Sequence, residues 1–237
     1  MKHELAIRLS FFFGVLLIVA CWELIAPRRR LTTAKHIRWL SNLGIVFLNS
    51  FVARVVLLGL GIVPVAFAAT LQGHNLGILN QLGLPYPVAV LAGVLVLDFI
   101  IYFQHVMFHA VPLFWRFHMM HHADLDYDLT TGMRFHTIEI IVSLIIKLSA
   151  ISVLGPPAPA VIIFEILLNG AAMFNHGNIY LPENIDRILR LIIVTPDMHR
   201  VHHSVVIRET NSNFGFNMPW WDRIFGTYRP HAACCRP

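Results

Sequence analysis

Apolar residues come in long blocks along this chain, and the polar residues gather between the blocks instead of alternating with them. Residues 9–26 form the first block and 43–70 the second, which contains Arg54 and Pro64. A third begins near Pro87 and runs to about Phe108. Two shorter blocks, 138–154 and 160–175, flank Gly155-Pro156-Pro157-Ala158-Pro159. A helix needs about 20 mainly apolar residues to cross a bilayer. The short pair with its Gly/Pro break predicts a tight hairpin that spans or reaches part way. The expected fold class is all-α, a polytopic membrane helical bundle of about four to five apolar segments. Residues 1–86 are read as N-terminal membrane segments and 87–237 as the unit that carries the chemistry.

The polar blocks set the orientation. Residues 28–42 hold Arg28, Arg29, Arg30, Lys35 and Arg38 and no acid, so the positive-inside rule makes this loop cytoplasmic. The first block is read as a span and not as a cleaved signal, because no small-x-small site follows and Pro27-Arg28-Arg29-Arg30 reads as a stop. Residues 71–86 carry no Lys, Arg, Asp or Glu and suit a short segment on the far side, with His74 an ordinary polar loop residue. The third block then ends at the cytoplasmic face, and the hairpin returns His176 to it. From 177 onward the polar chain reads as a cytoplasmic, His-rich helical cap. Arg54 is expected to face the protein interior or to snorkel, since a lipid-facing charge at mid-depth is costly.

Composition supports the membrane reading. Hydrophobic residues make up 57%, charged residues 13%, and the mean hydropathy is +0.65. A soluble domain carries about 25% charged residues. The net charge of +5 borders apolar runs, so no nucleic-acid partner is expected. Cys21 lies in an apolar block, and Cys234 and Cys235 are adjacent in the tail. None has redox or zinc-ribbon spacing, so thiolates are poor ligand candidates. The tail pair is either without function or a lipidation site.

The histidines change the picture. Ten of fourteen fall between His105 and His203. His105 and His109 are one helical turn apart. His118, His121 and His122 repeat this with an i, i+3, i+4 pattern, as do His199, His202 and His203, and each cluster is expected on one helix face. A lone buried imidazole costs a few kcal/mol, so three such clusters imply metal binding. Eight imidazoles, or nine with His176, exceed one ion and suit two. His-Glu-x-x-His and Glu-x-x-His motifs are absent, which argues against common zinc hydrolases and carboxylate-bridged di-iron bundles. An all-nitrogen site fits a non-haem di-iron centre, while zinc, copper and manganese stay open on ligand chemistry alone.

The stretch from Asp98 to Tyr228 resembles the fatty acid hydroxylase and sterol desaturase superfamily of membrane di-iron oxygenases. The matching pieces are Asp98-Phe-Ile-Ile-Tyr102 with His105-x-x-x-His109, Trp115-Arg-Phe-His118-x-x-His121-His122 and Arg134-Phe-His136-Thr-Ile-Glu139. They continue with Asn175-His176-Gly-Asn178, Thr195-Pro-Asp-Met-His199-Arg-Val-His202-His203 and Trp221-Asp-Arg-Ile-Phe-Gly-Thr-Tyr228. Val106 departs from the arginine many members place there. The resemblance implies that His105, His109, His118, His121, His122, His176, His199, His202 and His203 bind two iron ions. It implies that 87–237 is a fatty acid hydroxylase-like domain. It also implies O2-dependent hydroxylation or desaturation of a fatty acyl, sterol or related lipid, or ether cleavage through hydroxylation. No catalytic residue is expected beyond the metal ligands.

Metal-bound imidazoles donate their other N–H to a carboxylate, carbonyl or water. Asp98, Arg134, Glu139, Asn178, Asp197 and Asp222 are the candidates for that support, with His136 read as a supporting group and not a ligand. Met119 and Met120 are read as packing, and Trp220, Trp221 and Phe225 as holding the cap against the membrane face. No nucleotide-binding, iron–sulfur or fused haem motif is found, so electrons are expected from a separate ferredoxin or cytochrome b5-like donor with its reductase. Arg187, Arg190, Arg200, Arg208 and Arg223 are candidates to attract it. The competing classes are a histidine-lined metal-ion transporter or membrane metal-binding protein, and a di-haem membrane cytochrome. A transporter would spread polar residues through the depth of its spans, and the cytochrome would pair histidines inside facing helices without HxxHH clusters.

Overall fold

The computed structural model describes residues 3–124 and 126–232, so Cys234 and Cys235 lie outside the described residues. Twelve α-helices are formed there, and the only strand-like pairing among the described residues is one bridge between Pro27 and Ile179. Among the described residues, five runs are long and apolar enough to cross a membrane: Glu4–Ile25, Lys35–Gln81, Tyr86–Ala110, Thr137–Leu154 and Ala158–Asn175. The fold is all-α with the expected number of apolar segments.

The second run is three helices, α2 (Lys35–Leu60), α3 (Pro64–Gly73) and α4 (Ile78–Gln81), following α1 (Glu4–Ile25). The apolar block expected at 43–70 is therefore split. Gly61 ends α2 in the left-handed region at φ 64°, and Pro64, which has no N–H to donate, opens α3. Helix α2 also starts inside the expected loop, because Arg38, Asn42 and Asn49 are buried against residues 124–137. Arg54 is exposed, six residues before the end of α2. It does not face the interior, which leaves snorkelling of the two expectations.

Helices α7 (Thr137–Leu154) and α8 (Ala158–Asn175) form the hairpin, and α5 (Tyr86–Ala110) packs against both. Gly93 of α5 faces Pro156 and Ala160 at the hairpin tip. The tip thus stops about 18 Å from the level of His105, at 1.5 Å per residue, well short of where α5 begins. Helices α3 and α4 fill the space beneath it. Gly155 (φ 58°) and Gly77 (φ 94°) approach so closely there that a Cβ on either would collide with the other's backbone. Covering the tip with protein satisfies the rule that irregular backbone at membrane depth is not left to lipid.

The core joins Val65 and Ala68 of α3, Leu97 and Ile101 of α5, Ile151 of α7 and Phe164 of α8. Buried Glu165 of α8 pairs with Lys147 of α7 and Arg8 of α1, and Arg8 also meets Glu4 at 3.0 Å. These four charges cancel, as charges within apolar segments must. At the other end, buried Glu23 of α1 accepts from the backbone N–H of Leu129 at 2.7 Å, that of Asn178 at 2.9 Å, and Lys35 Nζ at 2.7 Å. Arg38 meets Asp124 and Asp128, each at 2.6 Å.

The remaining elements are short: α6 (Pro112–His122), α9 (Glu183–Leu189), α10 (Pro196–His202), α11 (Ile207–Thr210) and α12 (Trp220–Ile224). Trp221 Nε1 donates to Asp98 at 2.8 Å, and Phe225 stacks on Tyr102 at 5.6 Å, which docks α12 on α5. Trp220 instead donates to Leu191 O at 2.7 Å.

Candidate metal centre

Each histidine-bearing element is placed by a local signal. Helix α5 finishes with His105 and His109 in its last turns, and Pro112 starts α6, which carries His118, His121 and His122. His176 is the C-terminal cap of α8. Thr195 caps α10 by accepting from Met198 N, and Pro196 supplies its pre-set φ. Gly132, in the 3-10 turn Thr131–Met133, lies so close to Ala172 O and the His176 ring that no Cβ fits.

The nine clustered histidines meet at one end of the bundle, in two groups. His105, His109, His118, His122 and His202 form one; His121, His176, His199 and His203 form the other, each group offering nitrogens within 4.8 Å of one another. The expectation of one face per cluster needs refining. The i, i+4 pairs stay together, while His121 and His202, at i+3, turn to the other group. Successive helix positions point about 100° apart, so each HxxHH segment serves both groups.

The far ring nitrogens mostly have partners. His105 Nδ1 donates to Phe214 O at 2.8 Å, His118 Nδ1 to Glu139 Oε1 at 2.7 Å, and His121 Nδ1 to Arg134 O at 3.2 Å. His176 Nδ1 donates to Ala172 O and His202 Nδ1 to Ser212 O, each at 2.8 Å. The Nε2 atoms consequently carry lone pairs into the groups. His176 Nε2 lies 3.0 Å from His121 Nε2 and 3.1 Å from both His199 Nε2 and His203 Nε2. His105 Nε2 lies 3.2 Å from His118 Nε2. Two nitrogens bound at right angles to one ion at about 2.1 Å stand about 3.0 Å apart. The Nε2 atoms of His109, His122 and His202 are buried without a hydrogen-bond partner. Lone pairs this close repel unless a cation lies between them, so the residues fit bound metal, and imidazole suits iron, zinc, copper or nickel. Burial, then repulsion from neighbouring imidazoles, pushes His118, His122, His202 and His203 well below the ordinary histidine range. Burial takes His176 to about 3. Neutral imidazole is the ligand form.

The supporting candidates divide. Glu139 holds His118 directly, and Arg134 holds His121 through its carbonyl while its guanidinium reaches Met120 O and Asn42. Asp222 acts one step removed: it accepts from Phe214 N at 2.7 Å and Gly215 N at 2.8 Å, fixing the carbonyl that His105 uses. Asp98 takes Asn217 and Trp221; Asn178 takes Arg29 and Glu23; Asp197 takes Arg28 and Arg200. These three hold the surrounding elements together. His136 caps α7 by accepting from Ile138 N at 3.1 Å and packs on Phe117, outside both groups. Of the arginines expected at a donor surface, Arg190 is buried with Asp186, and Arg200 lies over Tyr127. Arg187, Arg208 and Arg223 are exposed.

Sequence reasoning missed Tyr127, whose buried ring packs on His176 and His203 at 5.3 and 4.9 Å. It also missed Phe135, stacked 4.5 Å from His121, and Asn211, which accepts from His109 Nδ1 at 3.3 Å. Glu23 had a readable signal, a lone carboxylate in an apolar run. The carbonyls of Phe214 and Ser212 had none.

A bundle of membrane-length helices that gathers nine imidazoles at one end, six of them buried and three part-buried, is a multi-pass membrane metalloprotein. Residues 90–227 match the family model described as fatty acid hydroxylase, and the chain belongs to that family. It is 31% identical over 145 residues to the ornithine lipid hydroxylase OlsE of Rhizobium tropici, covering 61% of this chain and 43% of the relative. It is 30% identical over 137 residues to alkylglycerol monooxygenase of Homo sapiens, covering 55% of this chain and 28% of the relative. The very-long-chain aldehyde decarbonylase GL1-4 of Oryza sativa subsp. indica is 28% identical over 138 residues, covering 55% and 22%. The chain thus spans less than half the length of these relatives. No solved structure matches it.

Proposed function

We propose that this chain is a membrane oxygenase that hydroxylates or desaturates a lipid, using O2 and two electrons from a separate donor. The observation that carries the reading is the convergence of nine neutral imidazoles in two adjoining groups, with ring nitrogens 3.0 to 3.2 Å apart. The nine histidines hold two iron ions in this proposal, and the irons, when bound, supply reductive activation of O2. For hydroxylation the balance is R–H + O2 + 2 electrons + 2 protons giving R–OH + H2O. The chain's own part is to fix the imidazoles through Glu139, Phe214 O, Arg134 O and Ser212 O, to orient the lipid and to keep water away.

Residues 87–237 form the catalytic unit in this proposal, and residues 1–86 anchor and brace it. The site is placed on the cytoplasmic side. The basic segment 28–38 supports this, because Arg28 reaches Asp197 and Arg38 reaches Asp124 at the metal end. The ferredoxin or cytochrome b5-like donor meets the exposed Arg187, Arg208 and Arg223. A transporter is disfavoured, since the histidines gather at one end and do not line a path. The test is metal analysis and absorbance of purified protein, followed by oxygen consumption with an electron donor and membrane lipids. Iron in both groups without a haem band, with oxidised lipid formed, is expected. Metal-replete protein that never consumes oxygen or oxidises a lipid would overturn the reading.

A further inference from the structure

A cavity of about 360 Å³ opens beside the metal centre. His109, His122 and His203 line it, so it touches both histidine groups, and Trp115, Ser204, Val205, Ile207, Thr210 and Asn211 complete the wall. Pockets that bury most of a small molecule run from about 300 to 1,000 Å³. This volume therefore takes a headgroup-sized fragment and leaves a long chain outside.

The wall has two kinds of surface. Val205 and Ile207 are 85% and 76% exposed. These apolar side chains suit a lipid tail. Along the rest of the wall, Ser204 Oγ accepts from Val206 N and keeps its own O–H free, while the single O–H of Thr210 is shared between Ser204 O and Val206 O. Asn211 Oδ1 is used by His109, but Asn211 Nδ2 and Trp115 Nε1 make no hydrogen bond among the described residues. Trp115 packs on His109 at 4.8 Å and His122 at 5.3 Å. The hydrogens left free on this wall, the Asn211 and Trp115 N–H groups and the Ser204 O–H, match an oxygen acceptor on the ligand.

We infer that this cavity receives the oxygen-bearing end of an amphiphilic lipid, with Asn211 and Trp115 donating to its oxygen and the tail leaving past Val205 and Ile207. The oxidised carbon then lies within a few bonds of that oxygen, not in mid-chain. This rests on the oxygenase reading for the reaction, while the binding claim stands apart from it.

Methyl hexadecanoate and hexadecane are the matched probes, labelled and titrated against metal-loaded full-length protein in nanodiscs. Wild type is expected to prefer the ester. Asn211→Asp keeps an acceptor for His109 and loses the donor, so it should retain metal, weaken ester binding about tenfold and leave hexadecane unchanged. Trp115→Phe, which keeps a ring against His109 and His122, should act in the same direction and covers the case of a misfolded Asn211 variant. Equal binding of the two probes by wild type, ester binding unchanged in both variants, or oxidation confined to mid-chain carbons would overturn the inference. Ester preference lost in the variants, with no lipid ever oxidised by wild type, would overturn the oxygenase reading and leave the binding site standing.

Discussion

His121 and His122 are adjacent in the chain yet belong to different histidine groups, His122 with His105, His109, His118 and His202, and His121 with His176, His199 and His203. Each α6 or α10 segment therefore bridges the two positions and sets their spacing. His121→Ala leaves three imidazoles in its group, whereas His122→Ala leaves four. Metal analysis of the purified variants should show the first losing the ion of the four-histidine group while keeping the other. The second should retain both ions at saturating metal and release one more readily to a chelator. Identical metal loss in the two variants would contradict the division.

Glu139 is buried, and its contact with His118 at 2.7 Å forms a carboxylate–histidine pair behind the metal position. Such a partner fixes the tautomer and raises ligand basicity, and its loss costs about 10- to 100-fold in metal affinity. Glu139→Leu should show that loss in chelator competition, while Glu139→Gln, which still offers a carbonyl oxygen, should lose less. Affinity unchanged in Glu139→Leu would remove Glu139 from the support of the site.

The apolar blocks and the histidine spacings were legible in the sequence because both are local. A helix writes its lipid-facing composition and its ligand comb into consecutive residues. The partition of those combs was not, since it depends on how α6 and α10 rotate against α5 and α8. Asp98, Asn178 and Asp197 looked like imidazole partners because a carboxylate or amide near a ligand in sequence is indistinguishable from one that braces a loop. His136 misled for the same reason, as its position before α7 equally suits a cap. The split of the second apolar block was signalled by Gly61 and Pro64, two breakers whose joint effect is to end one helix and start the next.

Tyr127 sits at φ 44°, a conformation costly for a bulky residue, with its hydroxyl donating to Asn175 O at 2.7 Å. Strain of about 1–3 kcal/mol persists only where the surroundings impose it, and here the ring is wedged against His176 and His203. Tyr127→Phe removes one hydrogen bond, worth about 1 kcal/mol, and should keep both metals. Tyr127→Ala should cost about 3–5 kcal/mol, the usual range for emptying a buried aromatic site, and should release metal from the four-histidine group first. Thermal unfolding paired with metal analysis distinguishes the two. A Phe variant as damaged as the Ala variant would place the role in the hydroxyl and not in the ring.

Asp222 links pH to the loop that steadies His105. It is fully buried and accepts from Phe214 N, Gly215 N and, at 2.7 Å, Thr227 Oγ1. Burial pushes its carboxyl up to about 6 from an ordinary 3.8, against the pull of those hydrogen bonds. The folded state therefore binds this proton more readily than the unfolded chain between those two values. The resulting stability is fully present below 3.8, falls as pH rises and is lost once pH passes about 6. The slope within the window is about 1.4 kcal/mol per pH unit. Asp222→Asn cannot titrate, and it has one acceptor oxygen where two are used, so an amide of the 214–215 turn is left unpaired at a cost of about 1–3 kcal/mol. Denaturation of both proteins from pH 4 to 7 should show wild type more stable at pH 4, with its margin over Asp222→Asn shrinking up to pH 6 and constant above. A margin that does not change across that range would show that the Asp222 carboxyl stays ionised throughout.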